Sequence, residues 1–189
     1  PAAVLLHLGP GLGNGLANLH NARKGHTPVV NIVGDHATYH KQYDAQLESD
    51  IETVARNVSS WIRFTATTDE LAADTAEAVT VASGPPAQVA TLVLPADVSW
   101  SEGAAPAAPA AAAEPLPVDD ATVAEVAAVL KGDEPAALFV GGRACRAAAL
   151  VDASRIANAT GAKLLAETFP ARLERGAGRV PVERLAYLA

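Results

Sequence analysis

The sequence predicts an α/β protein whose mostly parallel sheet is covered by helices on both faces. Three observations carry that prediction. Short β-branched runs alternate with helical periods along most of the 189 residues. Half of the composition is hydrophobic but only 4% is aromatic, so Val, Leu and Ile must fill the core, as they do in a sheet buried on both sides. Gly or Pro marks nearly every switch from one period to the other. Each helix then carries the chain back across the sheet, which leaves successive strands parallel.

Val4–Leu8 is an apolar strand that feeds a glycine turn, Gly9-Pro10-Gly11-Leu12-Gly13. Leu12, Leu16 and Leu19 then recur at helical spacing until Gly25 ends the helix after Lys24. Residues 28–33 (PVVNIV) are β-branched and bounded by Pro and Gly, which predicts a second strand. Residues 35–49 are polar and irregular, and Asp50 caps a short helix running to Asn57. Trp61–Thr65 reads as a third strand. Thr68–Ala82 is a helix with Asp69 and Glu70 favourably placed in its first turn. Val89–Leu94 is the fourth strand.

Residues 103–117, GAAPAAPAAAAEPLP, predict a semi-rigid linker, because the prolines prevent a long helix and no large apolar side chain appears before Leu116. The expected organisation is one domain over 1–102 and a second over 118–189. In the second, Asp119 caps a helix to Leu130, Ala136–Val140 is a strand, and Gly141-Gly142 turns into a helix from Arg143 to Thr160. Ala162–Ala166 is another strand. The Arg- and Gly-rich segment 168–180 reads as loop, and the chain stops at Tyr187-Leu188-Ala189 in what reads as a helix. Two strands are thin for an independent sheet, so this reads as the front part of a domain.

The formal charge of −7 with no basic block argues against nucleic acid as a partner. No apolar run approaches the ~20 residues that span a membrane. The one cysteine, Cys145, rules out an internal disulfide and suits a reducing compartment; the cytoplasm is the expectation. Cys145 itself reads as packing.

The turn in LLHLGPGLGNGLANL is the richest chemical feature, since a strand opening into a helix through glycines presents free N–H groups at the positive end of a dipole. A dinucleotide fingerprint fits poorly. Counted from Gly9, the third glycine position holds Asn14; counted from Gly11 it holds Leu16. A ligand-free structural turn stands beside it as an alternative.

GPGLGN followed by a helix, then PVV-I-GD, a polar loop, and the closing strand VATLVLPADVSW at 89–100 resemble the pyrimidine-binding domain of thiamine diphosphate enzymes of the acetolactate synthase and benzoylformate decarboxylase branch. The likeness covers residues 1 to about 100 and continues, more loosely, through LFVGGRA and Lys163–Ala166 into a Rossmann-like middle domain. It implies a fragment of a homodimer or homotetramer that acts on small 2-oxo acids by decarboxylation or carboligation. Thiamine diphosphate would lie between subunits, with Gly9, Pro10, Gly11 and Asn14 on its pyrimidine side. The family's activating glutamate would precede Pro1, and the Mg²⁺ and diphosphate motif would follow Ala189, so no metal ligand is assigned in this chain and the piece alone is expected to be inert. The competing reading from another class is a non-catalytic nucleotide-binding or regulatory module.

All five histidines, His7, His20, His26, His36 and His40, fall within the first forty residues. His36 and His40 could pair on a metal, but no carboxylate or cysteine completes a site. His7 sits at a strand end, where side chains in α/β folds reach ligands. The decarboxylase resemblance places a Leu-His pair at this point, with the histidine moving protons. Imidazole suits that work near neutral pH; a buried histidine bonded to a backbone carbonyl is the alternative. Synthases carry Asp-Ala-Phe-Gln-Glu where this chain has Asp44-Ala45-Gln46-Leu47-Glu48, so Gln46 and Leu47 are the implied substrate-pocket residues and strict synthase activity is in doubt. The turn GGRACRAA allows FAD in the middle domain, against a purely structural strand-to-helix turn.

Overall fold

A computed structural model describes residues 1–107, 110, 111, 113 and 116–188. The chain divides into two compact units, Pro1–Glu114 and Pro115–Ala189. Residues 108, 109, 112, 114 and 115 of the expected Ala/Pro linker lie outside the described residues; 103–107 are exposed and carry no regular structure.

The first unit runs β1 (Ala2–His7), α1 (Leu8–Lys24), β2 (Val29–Asp35), α2 (Ile51–Ala55), β3 (Trp61–Phe64), α3 (Thr68–Ser83), β4 (Val89–Pro95) and α4 (Ala96–Trp100). Its four strands are all parallel, in the order β1-β2-β4-β3. Right-handed crossovers explain which helix covers which face. The steps from β1 to β2 and from β2 to β3 run in one direction, so α1 and α2 share a face. The step from β3 back to β4 reverses, and α3 takes the other side. Leu12 and Leu19 of α1 and Ile51 and Ala55 of α2 accordingly pack with Val33, Val89 and Val93, whereas Ala78 and Ala82 of α3 pack with Val30 and Ala90. The small α3 residues let that helix lie close to the sheet.

The caps follow the sequence. Asp50 accepts from Thr53 N at 3.0 Å, and the Glu70 carboxylate reaches back to Thr67 N at 3.2 Å, each satisfying a backbone donor that a helix start leaves free.

The second unit contains α5 (Asp120–Leu130), β5 (Ala137–Val140), α6 (Ala147–Thr160), β6 (Lys163–Ala166) and β7 (Val182–Arg184), with a parallel sheet in the order β5-β6-β7. Asp119 caps α5 through Thr122 N at 2.8 Å, and Gly161 closes α6 in the left-handed region at φ 75°. Leu150, Ala153 and Ala157 of α6 pack on Val140, Leu164 and Val182. The tail differs from the sequence expectation. Residues 182–184 form a third strand beside β6, and Tyr187 and Leu188 are not helical. Residues 168–180 form no helix or strand, as expected, and Leu164↔Val182 pairing buries Val182 just beyond them, a long-range gain that makes a strand of a segment with little period of its own. No helix among the described residues is long and apolar enough to cross a membrane.

Candidate functional site

The parallel strands bring their carboxyl ends to one edge of the first sheet, where His7 pairs in register with Gly34 and Asp35 with Pro95. Ligands of open α/β sheets bind at such an edge. The chain turns from β1 into α1 earlier than the glycines suggest. Leu8 makes the turn, at φ 56°, and Gly9 to Gly13 are already helical. A leucine in the left-handed region is strained by about 1–3 kcal/mol, and it stays there because its side chain is buried in the unit (3% exposed). Pro10 is tolerated because the first-turn N–H groups of a helix have no partner in any case.

The glycines of this segment serve different ends. A Cβ on Gly9 would collide with the Ser49 side chain, so Gly9 is needed for a close approach within the chain. On Gly15 it would press on Leu6 at 2.8 Å, whereas Gly13 faces open space. Pro10, Gly13 and Asn14 are exposed and Gly11 is half-buried beside His7. The open surface of the first two helical turns is therefore small and flat, with the Asn14 amide at its margin.

Two cavities open at the same edge. The smaller, about 330 Å³, is lined by His7, Leu8, His36, Tyr39, Leu47 and Trp100, among others. The His7 side chain is exposed and makes no hydrogen bond among the described residues, so the alternative of a buried, carbonyl-bonded histidine does not describe its position. The larger, about 470 Å³, has Lys41, Glu48, Asp50, Ile62 and Phe64 in its wall. Asp35 borders both.

Asp35 organises the loop that runs from β2 to α2. Its Oδ1 accepts from His36 N at 2.7 Å and its Oδ2 from Lys41 Nζ at 2.8 Å. Lys41 also donates to Glu48 Oε1 at 2.8 Å. The start, middle and end of the 35–48 segment are thus tied by one ammonium. The Asp35 side chain is 2% exposed, a position tolerable for a carboxylate only when paired and hydrogen-bonded. Partial burial of Lys41 works against its charge, but the two carboxylates outweigh that and hold it above 10.5. The hydrogen bond from Lys41 keeps the Glu48 carboxyl below its ordinary 4.5. Thr38 fastens the same loop to α4, its N–H donating to Asp97 Oδ1 at 3.0 Å.

The structure gathers His7, Leu47 and the N-terminal turns of α1 at one edge. Gln46 is exposed and lines neither cavity. The His36 and His40 rings lie 5.2 Å apart between centroids, tilted by 50°, and no three metal-type side chains converge among the described residues. Leu8, Lys41, Tyr39 and Trp100 carry no signal in the sequence, and Asp35 stands out there only as the acidic residue of a poorly fitting dinucleotide fingerprint.

Comparison with known proteins agrees with this geometry. The N-terminal thiamine pyrophosphate-binding domain of thiamine pyrophosphate enzymes matches residues 1–60. A Mycobacterium tuberculosis protein, IlvX, provisionally described as an acetolactate synthase large subunit, is 61% identical over 191 residues, taking in all of this chain and 36% of the relative. A Mycobacterium smegmatis structure, provisionally described as a thiamin diphosphate-dependent enzyme, superposes with a TM-score of 0.79 at 27% identity, over 90% of this chain and 33% of that one. The Rhodococcus jostii thiamine diphosphate-dependent 4-hydroxybenzoylformate decarboxylase shares the fold at a TM-score of 0.77 and 20% identity, over 89% of this chain and 33% of its own. The chain thus spans about a third of the length of the proteins it matches.

Proposed function

We propose, from the premise that this chain belongs to the thiamine diphosphate-dependent enzymes, that it is part of one that breaks or makes a carbon–carbon bond beside a 2-oxo group. The observation that carries this reading is His7, exposed and unbonded at the carboxyl end of β1, beside the small open surface of α1 and in the wall of a cavity. Thiamine diphosphate, when bound, supplies the electron sink for that bond. Pro10, Gly11 and Asn14 fit a flat ring, since nothing bulky projects from the helical turns they form and Asn14 offers both a donor and an acceptor. Gly9 serves the same surface from beneath by seating it against Ser49.

His7 holds or moves a proton at the carbon that loses CO2. Leu47 gives the cavity an apolar wall, and Gln46 belongs to the same loop from outside it. The parent protein is a homodimer or homotetramer in the cytoplasm, whose Mg²⁺ and diphosphate ligands come from other parts of the chain. The present residues alone are inactive. The test is to supply the full-length protein with thiamine diphosphate, Mg²⁺ and a panel of 2-oxo acids and to follow CO2 release and products. Aldehyde products support a decarboxylase, acetolactate from pyruvate a synthase, and no turnover on any member overturns the proposal.

A further inference from the structure

The second unit opens its sheet as a nucleotide-binding domain does: β5 ends in Gly141-Gly142, with Gly142 at φ 51°, and a short turn leads into α6. The positive end of a 14-residue helix at such a turn is where the diphosphate of a flavin or another nucleotide would be held. In this chain that position is already filled. Glu174 comes over from the segment between β6 and β7, and its Oε2 accepts from Ala147 N, the first residue of α6, at 2.7 Å. Its Oε1 accepts from Arg172 Nε at 2.7 Å and faces the Arg146 guanidinium at 3.5 Å.

The backbone of the same residue is fixed too. Glu174 N donates to Cys145 O at 2.9 Å, and Glu174 O accepts from Arg179 Nη2 at 2.6 Å. The N–H bond from Ala147 holds the Glu174 carboxyl below its ordinary value. A helix start, two arginines and a carboxylate are the parts of an anion site, and the anion is the chain's own. Arg143 adds a long side chain directly after the two glycines, where close approach of a ligand backbone requires a small residue.

We propose that the second unit holds no flavin or nucleotide diphosphate at its Gly141-Gly142 turn, because Glu174 occupies the anion position at the start of α6. The inference does not depend on which reaction the first unit serves. Full-length protein, with its thiamine diphosphate site first saturated with cofactor and Mg²⁺, is purified with FAD present throughout, then examined for flavin absorbance and titrated with FAD, ADP and inorganic pyrophosphate by calorimetry. The wild type is expected to carry no flavin and to give no binding heat with any of the three at this unit. Glu174→Ala, which empties the position but keeps both arginines, is expected to gain pyrophosphate affinity by roughly tenfold or more. Glu174→Gln, which keeps the size and removes the charge, covers the case in which the alanine variant fails to fold. Stoichiometric flavin in the wild type overturns the proposal. So does a folded Glu174 variant with no gain in pyrophosphate affinity.

Discussion

Lys41 Nζ stands 2.8 Å from Asp35 Oδ2 at the carboxyl end of β2, and the same ammonium reaches Glu48 Oε1 at 2.8 Å. One side chain therefore ties both ends of the loop that carries His36, Tyr39 and Leu47 into the wall beside His7. Lys41→Met removes the tie and leaves the Asp35 carboxylate buried with one remaining hydrogen bond. The expected loss is about 1–3 kcal/mol of stability, the usual cost of a buried charged group losing its partner. Lys41→Arg should recover part of it. Hydrogen exchange of the loop amides checks the structural half of the prediction: protection over 36–48 should fall in the methionine variant and return with arginine.

The same tie fixes a pH window. Glu48 has its carboxyl lowered in the folded state by the Lys41 hydrogen bond, so its contribution is complete above the ordinary carboxylate value and is lost as pH falls through the lowered one. Lys41 is raised, so its contribution is complete below 10.5 and is lost as pH rises through the raised value. The stability gap between wild type and Lys41→Met should be flat from about pH 5 to about pH 10 and narrow on both sides. Denaturant titrations across pH measure it. A gap that grows below pH 4 contradicts the clamp.

Gly9 and Ser49 form a second link between α1 and this loop, through shape. A Cβ on Gly9 lands on the Ser49 side chain, and Ser49 directly follows Glu48, which the Lys41 tie holds. Gly9→Ala is expected to cost about 1–3 kcal/mol, as overpacking does. Ser49→Gly in the same molecule should restore most of the loss. Melting of the two single variants and the double variant gives a coupling energy, and simple additivity would show that the two sites do not touch.

How far this was legible in the sequence depends on the range of the interactions involved. The strands, the helices and the Asp50 and Asp119 caps follow local periods and local hydrogen bonds, which a short window of sequence contains. The sequence places the turn into α1 on Gly9–Gly13 because glycine is the usual turn residue, whereas the chain turns at Leu8; a non-local fact, the burial of Leu8, decides the matter. β7 was missed because a three-residue strand carries almost no period of its own, and only pairing with β6 reveals it. The Lys41 tie depends on the path of an irregular loop that brings residues 35, 41 and 48 together. Glu174 at the start of α6, 27 residues from Ala147, is invisible for the same reason.

Leu8 supports an unusual ordering of variants. Leu8→Ala removes a buried side chain, a loss of about 2–5 kcal/mol, and keeps a Cβ in the left-handed region. Leu8→Gly makes a slightly larger cavity but relieves the backbone, which glycine accepts at positive φ at no steric cost. The glycine variant should therefore melt no lower than the alanine variant, the reverse of their usual order in a helix. If Leu8→Gly melts clearly below Leu8→Ala, the strain at this residue has been misassigned.

His7 separates the two enzyme readings. Its side chain leaves the end of β1 into a cavity also walled by His36, Leu47 and Trp100, and it makes no hydrogen bond that would mark it as a structural group. In the full-length protein, His7→Ala should lower turnover of a 2-oxo acid by roughly 10²–10⁴-fold, the usual worth of a positioned acid–base group. Cofactor affinity should change little if, as proposed above, other parts of the chain hold the diphosphate. Stability should also change little, since an exposed histidine buries no core surface. A structural His7 predicts the reverse: a lowered melting temperature with near-normal rates in whatever stays folded. Single-turnover rates on a 2-oxo acid panel, taken beside melting curves and thiamine diphosphate titrations, distinguish these outcomes. A stable His7→Ala protein with normal rates on every substrate removes the imidazole from the chemistry. Gln46 and Leu47, the two loop residues that differ from the synthase pattern, would then have to account for substrate choice by shape alone.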